Sequence, residues 1–170
     1  NAWVTAVQWS QQFTSFPATL RDFIVQFYNG PFIQKVGYAD KVYEVLLDAM
    51  IHRGPQYMGQ ILQDPEVSAQ FKEDILGSVG GHRYDEWVGR NDLLPAVIAL
   101  MRDSSMSIRL RENALSYVMK HGKIDRTTSG AVAEIISKSD GADVYLSLTI
   151  SQIESDFVYP IIQAFIGSKK

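Results

Sequence analysis

The stretch from Asn91 to Gly122, NDLLPAVIALMRDSSMSIRLRENALSYVMKHG, decides the fold. It reads as one helical hairpin. Leu94, Val97, Ile98 and Met101 recur at helical spacing and form an apolar stripe. Asp103-Ser104-Ser105 supplies a short turn, and Ile108, Leu115, Val118 and Met119 form a second stripe. Gly122 supplies the stop. Two such helices cannot bury their apolar faces alone, so they require neighbours of the same kind.

Those neighbours are legible on both sides. Upstream, Ser15 precedes Pro17 as an N-cap candidate, and Leu20, Phe23, Ile24, Phe27 and Tyr28 form a stripe ending at Asn29-Gly30-Pro31. Val42, Val45, Leu46, Ala49 and Met50 form the next, ending at Gly54-Pro55. Met58, Ile61 and Leu62 mark a short helix. Asp64-Pro65 predicts a cap followed by proline at the first helical position, with Val67, Phe71 and Ile75 continuing to Gly77. Downstream, Val132, Ile135 and Ile136 mark a helix capped by Thr127 or Thr128. Phe157, Val158, Ile161, Ile162 and Phe165 mark the last one. Val144, Leu146, Leu148 and Ile150 alternate as a strand would. With no second strand-like segment to pair with, the segment is assigned to helix.

The pieces recur. Asp64, Asp103 and Asp140 each fall between two helical patterns, separated by 39 and 37 residues. Spacings near 40 suit a two-helix repeat. The central hairpin resembles a HEAT-type repeat in Leu94-Pro95, Asp103, Ile108-Arg109 and Ala114. The resemblance implies that Asp103 and Arg109 serve a structural ladder between neighbouring repeats. Gln70 and Leu146 stand where that arginine would recur, so it is not continued there. A HEAT-like shape implies a scaffold or recognition surface and nothing narrower.

Composition bounds the function. The 170 residues suffice for one domain, 46% are hydrophobic and 21% charged, and the net charge is -3, which gives no whole-protein attraction for nucleic acid. With no cysteine, disulfides, thiolate catalysis and cysteine-based metal sites are excluded. No apolar run approaches the roughly 20 residues that span a bilayer. Asn1-Ala2 reads as an expression scar or a processed start, so a targeting sequence could have been removed, and the compartment is not assigned.

Several residue groups invite a functional reading. Glu44, Asp48 and His52 share one helix face at i, i+4 and i+8 and could offer metal ligands, but a solvated polar face explains them better. His82, Arg83, Tyr84, Asp85 and Glu86 crowd the glycine-rich loop that follows Gly80-Gly81. A histidine beside two carboxylates can do acid–base work. The plainer account is a polar inter-repeat connection anchored by Trp87. Arg102 to Arg126 holds six Lys/Arg against three acids, a cationic stretch, but without the interleaved aromatics of a stacking platform. Trp3, Trp9, Phe13 and Phe16 crowd the N-terminus, either covering the open end of a helix stack or forming a docking surface. No phosphate loop, nucleophile elbow or paired-histidine zinc motif is present. Of the three histidines, His121 precedes Gly122 at a helix end, where a cation suits the dipole.

These readings converge on one all-α domain over residues 1–170, built of stacked antiparallel hairpins as a HEAT-like α-solenoid or as an irregular multi-helical bundle. The expected function is a non-catalytic scaffold or interaction domain binding a protein or peptide, with no cofactor and no metal. Two alternatives stay open. One is an enzyme, or enzyme-accessory domain, using the His82–Glu86 loop. The other is nucleic-acid binding through Arg102–Arg126.

Overall fold

A computed structural model describes residues 19–29, 39–79, 91–139 and 155–168. Among these the chain forms eight α-helices and no strand. They are α1 (Leu20–Asn29), α2 (Ala39–Arg53), α3 (Pro55–Gln63), α4 (Ala69–Val79), α5 (Leu94–Arg102), α6 (Ile108–His121), α7 (Ser129–Lys138) and α8 (Ser155–Ser168). The fold is all-α. The segment 144–150 lies outside the described residues.

The central hairpin stands as the sequence predicts. α5 carries Pro95 in its first turn, where a missing N–H costs nothing. Ser107 caps α6, its Oγ accepting from Leu110 N at 3.2 Å. Gly122 ends α6 with φ -130, so left-handed freedom is not what it supplies. A Cβ there would lie 3.0 Å from Leu94 Cδ2, and glycine permits that close approach.

Other boundaries move. α1 is capped by Thr19, whose Oγ1 accepts from Asp22 N at 3.1 Å; Ser15 and Pro17 lie outside the described residues. Asp64 does not cap a helix that starts at Pro65. It closes α3, and Ser68 is the cap of α4, accepting from Phe71 N at 3.3 Å. Asp64 is held in the corner because its Oδ1 accepts from Glu66 N at 2.9 Å. α4 then runs past Gly77 to Val79. Thr128 precedes α7, but its hydroxyl turns back to Asp125 instead of capping the helix.

The core is one contiguous cluster from Ile24 to Ile161. In α3, α5 and α7 the buried positions repeat at i, i+3 and i+4: Met58, Ile61, Leu62; Val97, Leu100, Met101; Val132, Ile135, Ile136. Helix α3 packs on α5, α4 on α6, α5 on α6, and α6 on α7, while α8 packs on α7. At the α3–α5 crossing Gly59 faces Ala96, where an added Cβ would meet the Ala96 Cβ at 3.2 Å. On α2 the apolar stripe is rotated from the expected one. Leu46, Leu47 and Met50 are buried, whereas Val45 is 68% exposed. Leu47 takes the buried place instead, and α2 meets α3 across the single residue Gly54, whose φ is +91. Glu44, Asp48 and His52 lie on the exposed side, as their spacing predicts.

Candidate functional site

Two of the sequence-derived groups fall outside the described residues: the His82, Arg83, Tyr84, Asp85, Glu86 and Trp87 loop, and the aromatics Trp3, Trp9, Phe13 and Phe16. The described charged groups instead gather along the corners within the α3–α4 and α5–α6 helix pairs. They are built by bonds that recur 39 residues apart. The N–H of Asp64 donates to Ile61 O and that of Asp103 to Leu100 O, each at 3.3 Å. The N–H of Val67 returns to Asp64 O at 3.2 Å, and that of Met106 to Asp103 O at 3.1 Å. Asp64 Oδ1 accepts from Glu66 N, and Asp103 Oδ1 from Ser105 N, both at 2.9 Å. Ser68 and Ser107 then cap the following helices.

Each corner is followed by a buried cation. Lys72 stands eight residues after Asp64, and Arg111 eight after Asp103. Both are 2% exposed. The Nε of Arg111 donates to Met101 O at 2.9 Å, and its Nη2 lies 2.7 Å from Glu134 on α7. Lys138 Nζ meets the other Glu134 oxygen at 2.7 Å. The hydrogen bond from Arg111, then that from Lys138, hold the Glu134 carboxyl down to about 2. The Lys72 backbone N–H donates to Ser68 O at 3.3 Å, while its ammonium has no hydrogen bond among the described residues. Burial lowers its pKa, and the charges of Asp64 and Asp103 oppose that.

Arg109 and Asp103 both tie the structure together, but not to each other. Arg109 Nε reaches back to Glu73 on α4 at 3.2 Å, with its side chain 75% exposed. Asp103 also accepts from Ser105 Oγ at 2.6 Å, and this bond is the main reason its pKa is lowered. The buried cation is therefore eight residues past the aspartate, not six. Reading Lys72 against Arg111 at 39-residue spacing could have found it. Glu73 also accepts from Ser107 Oγ at 3.4 Å, and its counterpart Glu112 accepts from Ser139 Oγ. At the upstream end Arg21 Nε lies 2.5 Å from Asp64 Oδ2, and the same guanidinium contacts Glu66. The bond to Asp64, then that to Glu66, raise the Arg21 pKa.

The arrangement is one of opposite charges bridging helices. Among the described residues no group of three His, Cys, Asp or Glu side chains could hold a metal ion. No described helix is long and apolar enough to cross a membrane. Of the cations from Arg102 to Arg126, Arg111 is buried and Arg109 is paired with Glu73. The outer positions of α3 and α5 are Gln56, Gln60, Gln63, Pro95, Ala99 and Arg102. Neither helix contains an acidic residue. No protein-family model, curated protein or solved structure matches this chain.

Proposed function

We propose that this chain is a non-catalytic helical-repeat domain, HEAT-like in its hairpin pattern, that binds a protein or peptide. The observation that carries this reading is the recurrence of corner bonds, helix caps and buried cations at Asp64–Lys72 and Asp103–Arg111. A chain that repeats one hairpin presents like helices side by side, and such surfaces suit extended partners. The outer face of α3 and α5 offers the amides of Gln56, Gln60 and Gln63, the small Ala99, and one cation, Arg102. Amides can pair with a peptide backbone, and Arg102 with an acidic side chain of the partner.

Selection of a displayed peptide library on the whole protein tests this. Enriched peptides should carry an acidic residue and should lose binding at least tenfold to a Gln60→Glu/Ala99→Glu variant that retains its helical signal. Failure to enrich any peptide, or peptides indifferent to both substitutions and to Arg102→Ala, would remove the assignment to this face. Loss of binding on His82→Ala alone would move it to the His82–Trp87 loop.

A further inference from the structure

We propose that α8 pairs antiparallel with α8 of a second copy of this chain, through the side turned away from α7. The inference concerns α8 alone, so it stands or falls separately from the peptide-binding assignment to α3 and α5.

A helix packed on one side is ordinarily polar on the other, and a helix apolar all round is covered all round. α8 has fourteen residues, of which Asp156 alone is charged. Ile161 is fully buried in the core, where α8 packs on α7. On the opposite side of the helix stand Tyr159, Gln163, Ile166 and Gly167, all exposed. Among the described residues three large apolar side chains are exposed, and two of them, Tyr159 at 67% and Ile166 at 59%, share this side. A Cβ added at Gly167 would meet nothing within 4 Å, so the surface is open there. Gln163 Nε2 already donates to Tyr159 Oη at 2.7 Å, which lowers the cost of covering either group.

Charge and register point to a second copy as the cover. A two-fold contact sets each surface against itself, so a charge on it would meet its own kind. The four exposed positions carry none. Gln163 lies four residues from Tyr159 and three from Ile166. A two-fold axis near Gln163 therefore carries Tyr159 of each copy onto Ile166 of the other, ring against branched aliphatic. The same axis carries position 156 toward positions 169 and 170 of the second copy. Position 156 is aspartate and both of the others are lysine. A parallel pair would set acid against acid, whereas the antiparallel pair opposes unlike charges and unlike helix ends. One helix pair lies at the low end of interface size, so association depends on concentration.

Sedimentation velocity of the unaltered protein should show monomer passing to dimer between about 1 and 300 μM, and Ile166→Glu should weaken the dimer about tenfold or more with its helical signal kept. Crosslinking reads the register, because the chain has no cysteine of its own. Gln163→Cys should form a disulfide-linked dimer under mild oxidation. Ile166→Cys should not, since its two copies would lie roughly 9–10 Å apart along the helices, whereas Tyr159→Cys/Ile166→Cys should. A protein that stays monomeric over that range would overturn the proposal. So would a dimer indifferent to Ile166→Glu, or one in which Ile166→Cys crosslinks ahead of Gln163→Cys. A monomer whose tryptophan emission shifts on Ile166→Glu would also overturn it, and would assign the cover to the segment holding Trp3 and Trp9.

Discussion

Arg111 and Glu134 meet at 2.7 Å with the guanidinium buried and the carboxylate part-exposed. This asymmetry sets an order of mutational cost. Glu134→Ala leaves a buried cation with Met101 O as its remaining bonded acceptor. It should destabilise the fold by about 2–3 kcal/mol. Arg111→Met removes the charge and fills most of the volume, and should cost about 1 kcal/mol. Urea unfolding of both variants checks this. A loss from Arg111→Met equal to or larger than that from Glu134→Ala would contradict it.

The same pair makes stability acid-sensitive. Glu134 titrates at about 2 in the folded protein against an ordinary value of 4.5. A carboxyl whose folded value is depressed stabilises above its unfolded value and loses that contribution as pH falls through the folded one. The Glu134 contribution should be complete above about pH 4.5 and fall away toward pH 2. Asp64, Asp103 and Asp125 are shifted the same way, chiefly by Arg21, Ser105 and Thr127. The unaltered protein should therefore weaken further in acid than Glu134 alone explains. The informative quantity is the difference from Glu134→Gln in urea midpoints, which should shrink as pH drops from 6 toward 2. A constant difference would show that the Arg111 contact does not hold the proton off.

Two helical glycines should respond with opposite sign. Gly77 in α4 has nothing within 4 Å of where a Cβ would stand. Gly77→Ala should stabilise by about 0.5–1 kcal/mol through helix propensity alone. A Cβ added at Gly59 would stand 3.2 Å from the Ala96 Cβ. Gly59→Val would press a branched side chain into α5 and should cost about 2 kcal/mol. Thermal melts of the two variants should move in opposite directions, and a rise for Gly59→Val would mean that the α3–α5 crossing is looser than its geometry.

The equivalence of Ser68 and Ser107 is itself measurable. Each caps a helix through its hydroxyl, to Phe71 N at 3.3 Å and Leu110 N at 3.2 Å. Ser68→Ala and Ser107→Ala should each cost about 1 kcal/mol, and the double variant should show nearly their sum. Costs differing by more than twofold would show that matching bonds do not imply matching energetics.

How much of this was legible in the sequence depends on the kind of signal. The α5–α6 hairpin was legible because its apolar stripes, Leu94-Pro95 and Asp103 act within a few residues of themselves. Stripe rotation was not. Val45 and Leu47 are close in sequence and similar in character, and which of them faces inward depends on how α2 packs on its neighbours, not on local spacing. The Asp64-Pro65 pair mimics a helix start, while the decisive cap, Ser68, stands four residues on. Arg111 was hidden for a different reason. A charged residue inside a helix looks solvated until a partner distant in sequence, here Glu134, is brought beside it. The Arg21–Asp64 contact is hidden in the same way, spanning 43 residues.

The matched corners at Asp64 and Asp103 also make the chain divisible. A cut placed just before each aspartate excises 39 residues whose two ends are chemically alike. A copy of residues 64–102 spliced in at that point would begin and end on the same bonds, offer its own Lys72 to the following aspartate, and return the original Asp103 to Arg111. A unit of 39 residues could thus be inserted there without inventing a new junction.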